Sequence, residues 1–172
     1  VIALLHSDDF YYDKNVIEFV MKIFSEKQAD IVYGDVSFFK KNNFEKTSRI
    51  YKSDELSEKN LAWGKMPAHP AMFIKREVFE KVGLYKTNYK IAADYEFLCR
   101  LVKNFNFRAI YISKVLVRMQ TGGISTRGIS SFIILNKEVL EALLSNGIYS
   151  NFFMLFSKYF SKFKQFFSKN NL

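Results

Sequence analysis

The feature that most constrains this chain is a change of period near its N-terminus. Val1 to Leu5 is a short, wholly apolar run ending at His6-Ser7-Asp8-Asp9, the pattern of a buried strand that delivers polar side chains at its C-terminal end. From Lys14 the spacing becomes helical, with Val16, Ile17, Phe19, Val20, Ile23 and Phe24 recurring up to Gln28. Asp30 to Phe39 then returns to β-branched and aromatic residues and predicts a second strand, broken at Gly34-Asp35. Strand, helix and strand in that order predict an α/β unit.

Downstream, Lys40 to Thr47 reads as a polar loop and Ser53 to Asn60 as a short exposed helix. Pro67 and Pro70 bracket Ala68-His69 and predict an extended loop before a strand at Ala71 to Ile74. Glu77 to Val82 predicts a helix stopped by Gly83, and Ala92 to Lys103 a helix burying Phe97, Leu98, Leu101 and Val102. Phe107 to Ile112 and Val115 to Met119 are strand-like. Gly122-Gly123 breaks the chain before a helix over about Ser130 to Leu144.

A length of 172 residues with 49% hydrophobic content supports a buried core and argues against long disorder. The 26 Lys and Arg against 17 Asp and Glu leave +9, and with 19 Phe and 10 Tyr this points to an anionic partner. Nucleic acid, a phosphorylated substrate and a membrane surface all fit that description. Cys99 stands alone, which excludes an internal disulfide framework and a cysteine-based zinc cluster and predicts a reducing compartment. No apolar run approaches the ~18 residues of a membrane-spanning helix.

Asp8 and Asp9 fall where a buried strand ends, the side on which open α/β sheets bind ligands. Two hard oxygen donors there suit Mg²⁺ or Mn²⁺ shared with a diphosphate. Ser-Asp-Asp is equally good turn chemistry and would cap the following helix. Asp94 and Glu96 open a helix with Arg100 one turn beyond Glu96. One reading makes Asp94 an N-cap and Glu96–Arg100 an ion pair; the other makes Asp94 a general base held at a cavity edge. His69, fixed between two prolines, either touches substrate or is structural.

On a helix, Leu155, Phe156, Tyr159, Phe160, Phe163, Phe166 and Phe167 share one face of the C-terminal stretch. Lys158, Lys162 and Lys169 oppose them, Lys164 lies at the flank, and residues 151–172 contain no acid. Such a helix suits binding to an anionic membrane surface, with docking onto the core or a partner as the alternative.

These motifs, in this order, resemble the family-2 glycosyltransferases of bacterial cell-surface polysaccharide synthesis. Val1 to Asp9 looks like that family's strand and acidic metal motif, and Asp30 to Asp35 like its next strand. His69-Pro70-Ala71-Met72-Phe73-Ile74-Lys75-Arg76, with Phe79 and Gly83-Leu84-Tyr85, resembles the segment leading to the acceptor side. Ala92 to Leu101 looks like the motif carrying the catalytic base, and Val117-Arg118 with Gly122 to Ser125 like the closing segment. His6 and Ala93 stand where many relatives carry an acidic or amide residue and an acidic residue respectively, so ligation would rest on Asp8 and Asp9.

The resemblance implies a GT-A fold, a Rossmann-like mixed α/β sheet flanked by helices, lacking here its N-terminal nucleotide-binding half. It covers about residues 1 to 145; with the C-terminal stretch read from its own pattern, the chain divides into catalytic-domain residues 1–127, a helical extension 128–150 and a basic amphipathic helix 151–172. The resemblance implies an inverting transfer from a nucleotide-diphosphate sugar to a glycan or lipid-linked acceptor, with Asp94 as base. Asp9 and Asp8 would hold a divalent cation, and Asp8, His69, Glu96, Arg100 and Arg118 would bind substrate. The expected partners are donor, acceptor and anionic membrane rather than nucleic acid, with a cytoplasmic location peripheral to the inner face of the plasma membrane. An inactive remnant, or a non-catalytic membrane or nucleic-acid binding module, is the alternative.

Overall fold

The computed structural model of the chain describes residues 1–41, 43–121 and 128–157. Six strands form one mixed sheet. They are β1 (Ile2–Ala3), β2 (Phe10–Tyr11), β3 (Ile31–Lys40), β4 (Asn43–Tyr51), β5 (Met72–Ile74) and β6 (Ala109–Gln120). The helices are α1 (Val16–Lys27), α2 (Glu58–Ala62), α3 (Arg76–Val82), α4 (Ala93–Asn104) and α5 (Gly128–Ser145). The strand order β1-β5-β3-β6-β2 places β3 at the centre. It runs parallel to β6 along one edge. Its other edge is shared, with β5 antiparallel over Ile31 to Tyr33 and β4 antiparallel over Val36 to Lys40. This is the α/β fold expected, a mixed sheet with flanking helices.

Because helices cover both faces, β3 is buried nearly throughout, its polar residues Asp35 and Ser37 included. Ile31 and Tyr33 enter a core formed with α2, α3, α4 and α5, in which Phe97, Leu98, Leu101 and Leu143 are fully buried. Val32 and Val36 enter a second core with Val16, Val20 and Phe24 of α1 and with Ile112, Leu116 and Val117 of β6. Each such fully buried aliphatic or aromatic side chain contributes about 1.5–3 kcal/mol of transfer free energy.

Four local expectations are corrected. Gly34-Asp35 does not break β3, because the strand continues through a register irregularity against β6 between Tyr33 and Asp35. A Cβ on Gly34 would lie 2.6 Å from Leu116 Cγ and 2.8 Å from the Lys114 carbonyl oxygen, so the glycine permits close approach of two strands. Lys40 to Thr47 is not a loop: it contains the turn and first half of β4, a largely exposed strand whose polar sequence hides its pairing. Phe107–Ile112 and Val115–Met119 belong to a single strand, β6. The N-terminal strand is shorter than expected, since only Ile2 and Ala3 pair, with Ile74 and Phe73.

Candidate active site

His6 to Asp9 forms a turn closed by the Asp9 N–H donating to the His6 carbonyl at 3.1 Å. The turn reading is therefore correct for the backbone, but these residues do not cap α1. The N-cap is Asn15, which makes no side-chain cap hydrogen bond; Asp13 Oδ1 accepts the Asn15 N–H at 2.7 Å. Immediately after the turn, β2 pairs with β6 through Phe10↔Arg118 and Tyr11↔Val117. This pairing draws Asp9 under the end of β6, where its Oδ1 accepts the Gln120 N–H at 3.2 Å. Asp9 is 8% exposed, and its Oδ2 is buried with no hydrogen-bond partner among the described residues. Burial raises its carboxyl above the usual range and neighbouring Asp8 adds to this, while the Gln120 bond and His6 oppose them. Asp8 remains exposed.

An orphaned buried carboxylate oxygen beside an exposed carboxylate fits a divalent cation. Among the described residues no group of three or more His, Cys, Asp or Glu could hold a metal. Mg²⁺ commonly takes only one or two protein carboxylates and completes its shell with substrate phosphates and water, so the pair suits a cation that arrives with a diphosphate.

Arg118 sits on β6 next to this corner, its guanidinium carbon 5.6 Å from the ring centroids of both Phe10 and Phe39. It donates to the Phe44 carbonyl. The structure thus brings Arg118 close to Asp9 across neighbouring strands.

His69 begins a single 3₁₀ turn, His69–Ala71, rather than an extended loop. It borders a small cleft with Ile2, Ala3 and Leu4 from β1 and its continuation, Met72 and Ile74 from β5, and Phe79 and Tyr85. His69 Nε2 and the Tyr85 hydroxyl are 2.9 Å apart, within hydrogen-bond distance. Burial holds His69 below its ordinary pKa of 6.5; Asp94 pulls the other way, and His6 lowers it further. The Tyr85 hydroxyl is pushed up to about 12 by burial and by Asp94.

Asp94 occupies the first turn of α4 as its second residue. The N-cap position is Ala92, which offers no side-chain acceptor, so the capping explanation of Asp94 is incorrect. Its Oδ1 accepts the Tyr95 N–H at 2.8 Å, and an anion there is favoured by the helix dipole. His6 acts electrostatically on both Asp9 and His69, and Asp94 acts on both His69 and Tyr85. Of these residues, His69 and Tyr85 are in direct contact and line the cleft beside β1.

Glu96 and Arg100 point elsewhere. Glu96 is 0% exposed; Arg100 Nε lies 2.9 Å from each carboxylate oxygen, and Lys86 Nζ approaches at 2.8 Å. Arg100 also donates to the carbonyls of Val82 and Leu84, holding the turn at Gly83. They form a buried clamp joining α3, α4 and the loop between them, which is the ion-pair reading weighed for them. Cys99 is buried, its thiol pushed up to about 12 by burial, and it is no nucleophile.

Two participants escaped sequence reasoning. Tyr85 was visible only as part of a longer motif. Glu138 on α5 accepts three backbone N–H groups just ahead of α4, a contact spanning 46 to 48 residues for which no local pattern exists. The Gly122 to Ser125 motif and the lysine-bearing part of the 151–172 helix lie outside the described residues. Among the described residues no helix is long and apolar enough to cross a membrane.

No protein-family model matches the chain. Its sequence is similar to the PGL/p-HBAD biosynthesis glycosyltransferases of Mycobacterium bovis (strain BCG / Pasteur 1173P2) and Mycobacterium tuberculosis (strain ATCC 25177 / H37Ra). Each is 27% identical over 143 residues, covering 83% of this chain. The chain spans about half the length of these curated relatives, 51%. Its fold is similar to that of the glycosyltransferase TarS from S. aureus. The match to the crystal structure of TarS 1-349 has a TM-score of 0.50 at 15% identity and covers 81% of this chain and 39% of that one. A second TarS crystal structure gives 0.51 at 14%, covering 83% and 24%. In sequence the chain is similar to glycosyltransferases, and in fold to TarS.

Proposed function

We propose that the chain carries the C-terminal part of the catalytic domain of a metal-dependent, inverting glycosyltransferase of family 2 with a GT-A fold. It would transfer a sugar from a nucleotide-diphosphate donor to a hydroxyl of a glycan or lipid-linked acceptor in surface-polysaccharide synthesis. The observation that carries this reading is the burial of Asp9 in the turn region after β1, with one oxygen that no group among the described residues satisfies. Asp94, in the first turn of α4, exerts its charge on His69 and Tyr85.

Asp9, with Asp8, would hold Mg²⁺ or Mn²⁺, which when bound supplies Lewis-acid stabilisation of the departing diphosphate. Arg118 lies on the strand beside Asp9, where a guanidinium favours phosphate charge. Asp94 would take the proton of the attacking acceptor hydroxyl. Attack on the anomeric carbon from the face opposite the leaving diphosphate inverts its configuration. His69, held neutral by burial, and Tyr85 would shape the acceptor side by hydrogen bonding. The test is release of nucleoside diphosphate by the intact protein from UDP-, GDP- and dTDP-sugars with Mn²⁺ and hydroxyl acceptors. Metal-dependent release that Asp9→Asn abolishes supports the reading, and metal-independent release counts against it.

Membrane attachment through residues 151–172 belongs to the same proposal. Its support is the acid-free, lysine-bearing sequence and the exposure of Phe152 and Phe153 where that segment begins, while Leu155 docks into the core and Phe156 packs on Phe132. Co-sedimentation with phosphatidylglycerol vesicles that is lost on deletion of 151–172 is the expected result. Binding to nucleic acid in place of vesicles would favour the basic-module alternative.

A further inference from the structure

The backbone leading into α4 is held by a side chain from far along the chain. The Lys90 N–H donates to Glu138 Oε1 at 2.8 Å, and the N–H groups of Ile91 and Ala92 donate to Oε2 at 2.9 Å each. Ala92 is the N-cap of α4 and has no side-chain acceptor of its own, so this carboxylate does the work of a local cap. Charge-assisted bonds of this kind are stronger than neutral ones, and an anion here also complements the helix dipole. Burial raises the Glu138 carboxyl, but the bonds from Lys90, Ala92 and Ile91, with the Lys90 charge, outweigh it and leave it below the usual range.

Glu138 is itself held firmly. Its neighbour Val139 and, one turn on, Ala142 and Leu143 are buried in the core shared with Phe97, Leu98 and Leu101 of α4. Helix α5 therefore grips α4 through packing along its length and through one carboxylate at its entrance. Asp94 lies two residues beyond the last gripped amide, on the same first turn. Any movement of residues 90–92 carries Asp94 with it.

We infer that Glu138 is a positioning residue for sugar transfer: by binding three consecutive amides it fixes the backbone from which Asp94 meets the acceptor hydroxyl. This inference rests on the reading of Asp94 as the general base. A misplacement of about 1 Å in a reacting group costs on the order of 10²-fold in rate, so the clamp acts on kcat more than on donor affinity.

The experiment compares wild type, Glu138→Ala, Glu138→Gln and Asp94→Asn in the intact protein. It combines amide hydrogen exchange over residues 88–95 with steady-state kinetics on whichever UDP-, GDP- or dTDP-sugar supports turnover with Mn²⁺. Glu138→Ala is expected to lose protection at amides 90–92 and to lower kcat by roughly 10²-fold, with donor KM within about threefold of wild type. Glu138→Gln, which keeps one acceptor oxygen, should recover part of both. Unchanged protection in Glu138→Ala, or wild-type kcat despite lost protection, overturns the inference. If the alanine variant does not fold, the glutamine variant decides on the same two readouts. Retained turnover in Asp94→Asn would remove the base reading, whereas an inert Asp94→Asn beside a fully active Glu138→Ala would remove only the clamp.

Discussion

His69 and Tyr85 face each other across 2.9 Å, ring edge to ring face, and the charge of Asp94 reaches both. Burial lowers the pKa of His69 below 6.5 in the folded protein despite the pull of Asp94. The unfolded chain therefore takes up a proton at this position at higher pH than the folded one, and the stability His69 contributes is lost as pH falls through and below about 6.5. His69→Gln should flatten the dependence of unfolding free energy on pH between about pH 7 and 5, measured by urea titration. Identical slopes for the two proteins would show that His69 is not held neutral.

The clamp between Glu96 and Arg100 gives a prediction of the opposite kind. Arg100→Ala leaves the wholly buried Glu96 with Lys86 as its cationic partner and strips the Val82 and Leu84 carbonyls of a donor. Removing one member of a buried pair costs about 3 kcal/mol. Chemical denaturation should show that loss, with donor KM unchanged at a temperature where the variant is folded. A large KM change without a stability change would return Arg100 to the substrate.

Gly34→Ala tests the close approach of β3 and β6. The new methyl would meet Leu116 at 2.6 Å and a backbone oxygen of Lys114 at 2.8 Å, and the oxygen cannot swing aside as a flexible side chain can. We expect a loss of about 1–3 kcal/mol in unfolding free energy. A neutral substitution would mean that the strands separate there at no cost.

These positions also show what a single sequence reveals. Helix α1 was legible because one face is buried at a regular spacing, Val16, Val20 and Phe24, and the start and end of β3 because both are rich in β-branched and aromatic residues. Strand β4 was not, because it is exposed along most of its length and its pairing depends on backbone bonds that polar residues satisfy equally well. Gly34 was misjudged for a related reason: a glycine that breaks a strand and one that lets two strands touch look alike until Leu116 is opposite it. Asp9 and Asp94 could be singled out from their places at element ends. The orphaned Oδ2 of the first and the Glu138 clamp ahead of the second depend on residues roughly 50 to 110 positions away.

The central claim is that Asp94 removes a proton from the acceptor while the Asp9 corner holds the donor. Its most direct test is Asp94→Asn in the intact protein, with donor binding and sugar transfer followed on the same preparation. The account predicts donor and Mn²⁺ binding within about twofold of wild type and transfer reduced by at least 10²- to 10⁴-fold, the range general-base catalysis supplies. Transfer at the wild-type rate with Asn at position 94 would contradict it.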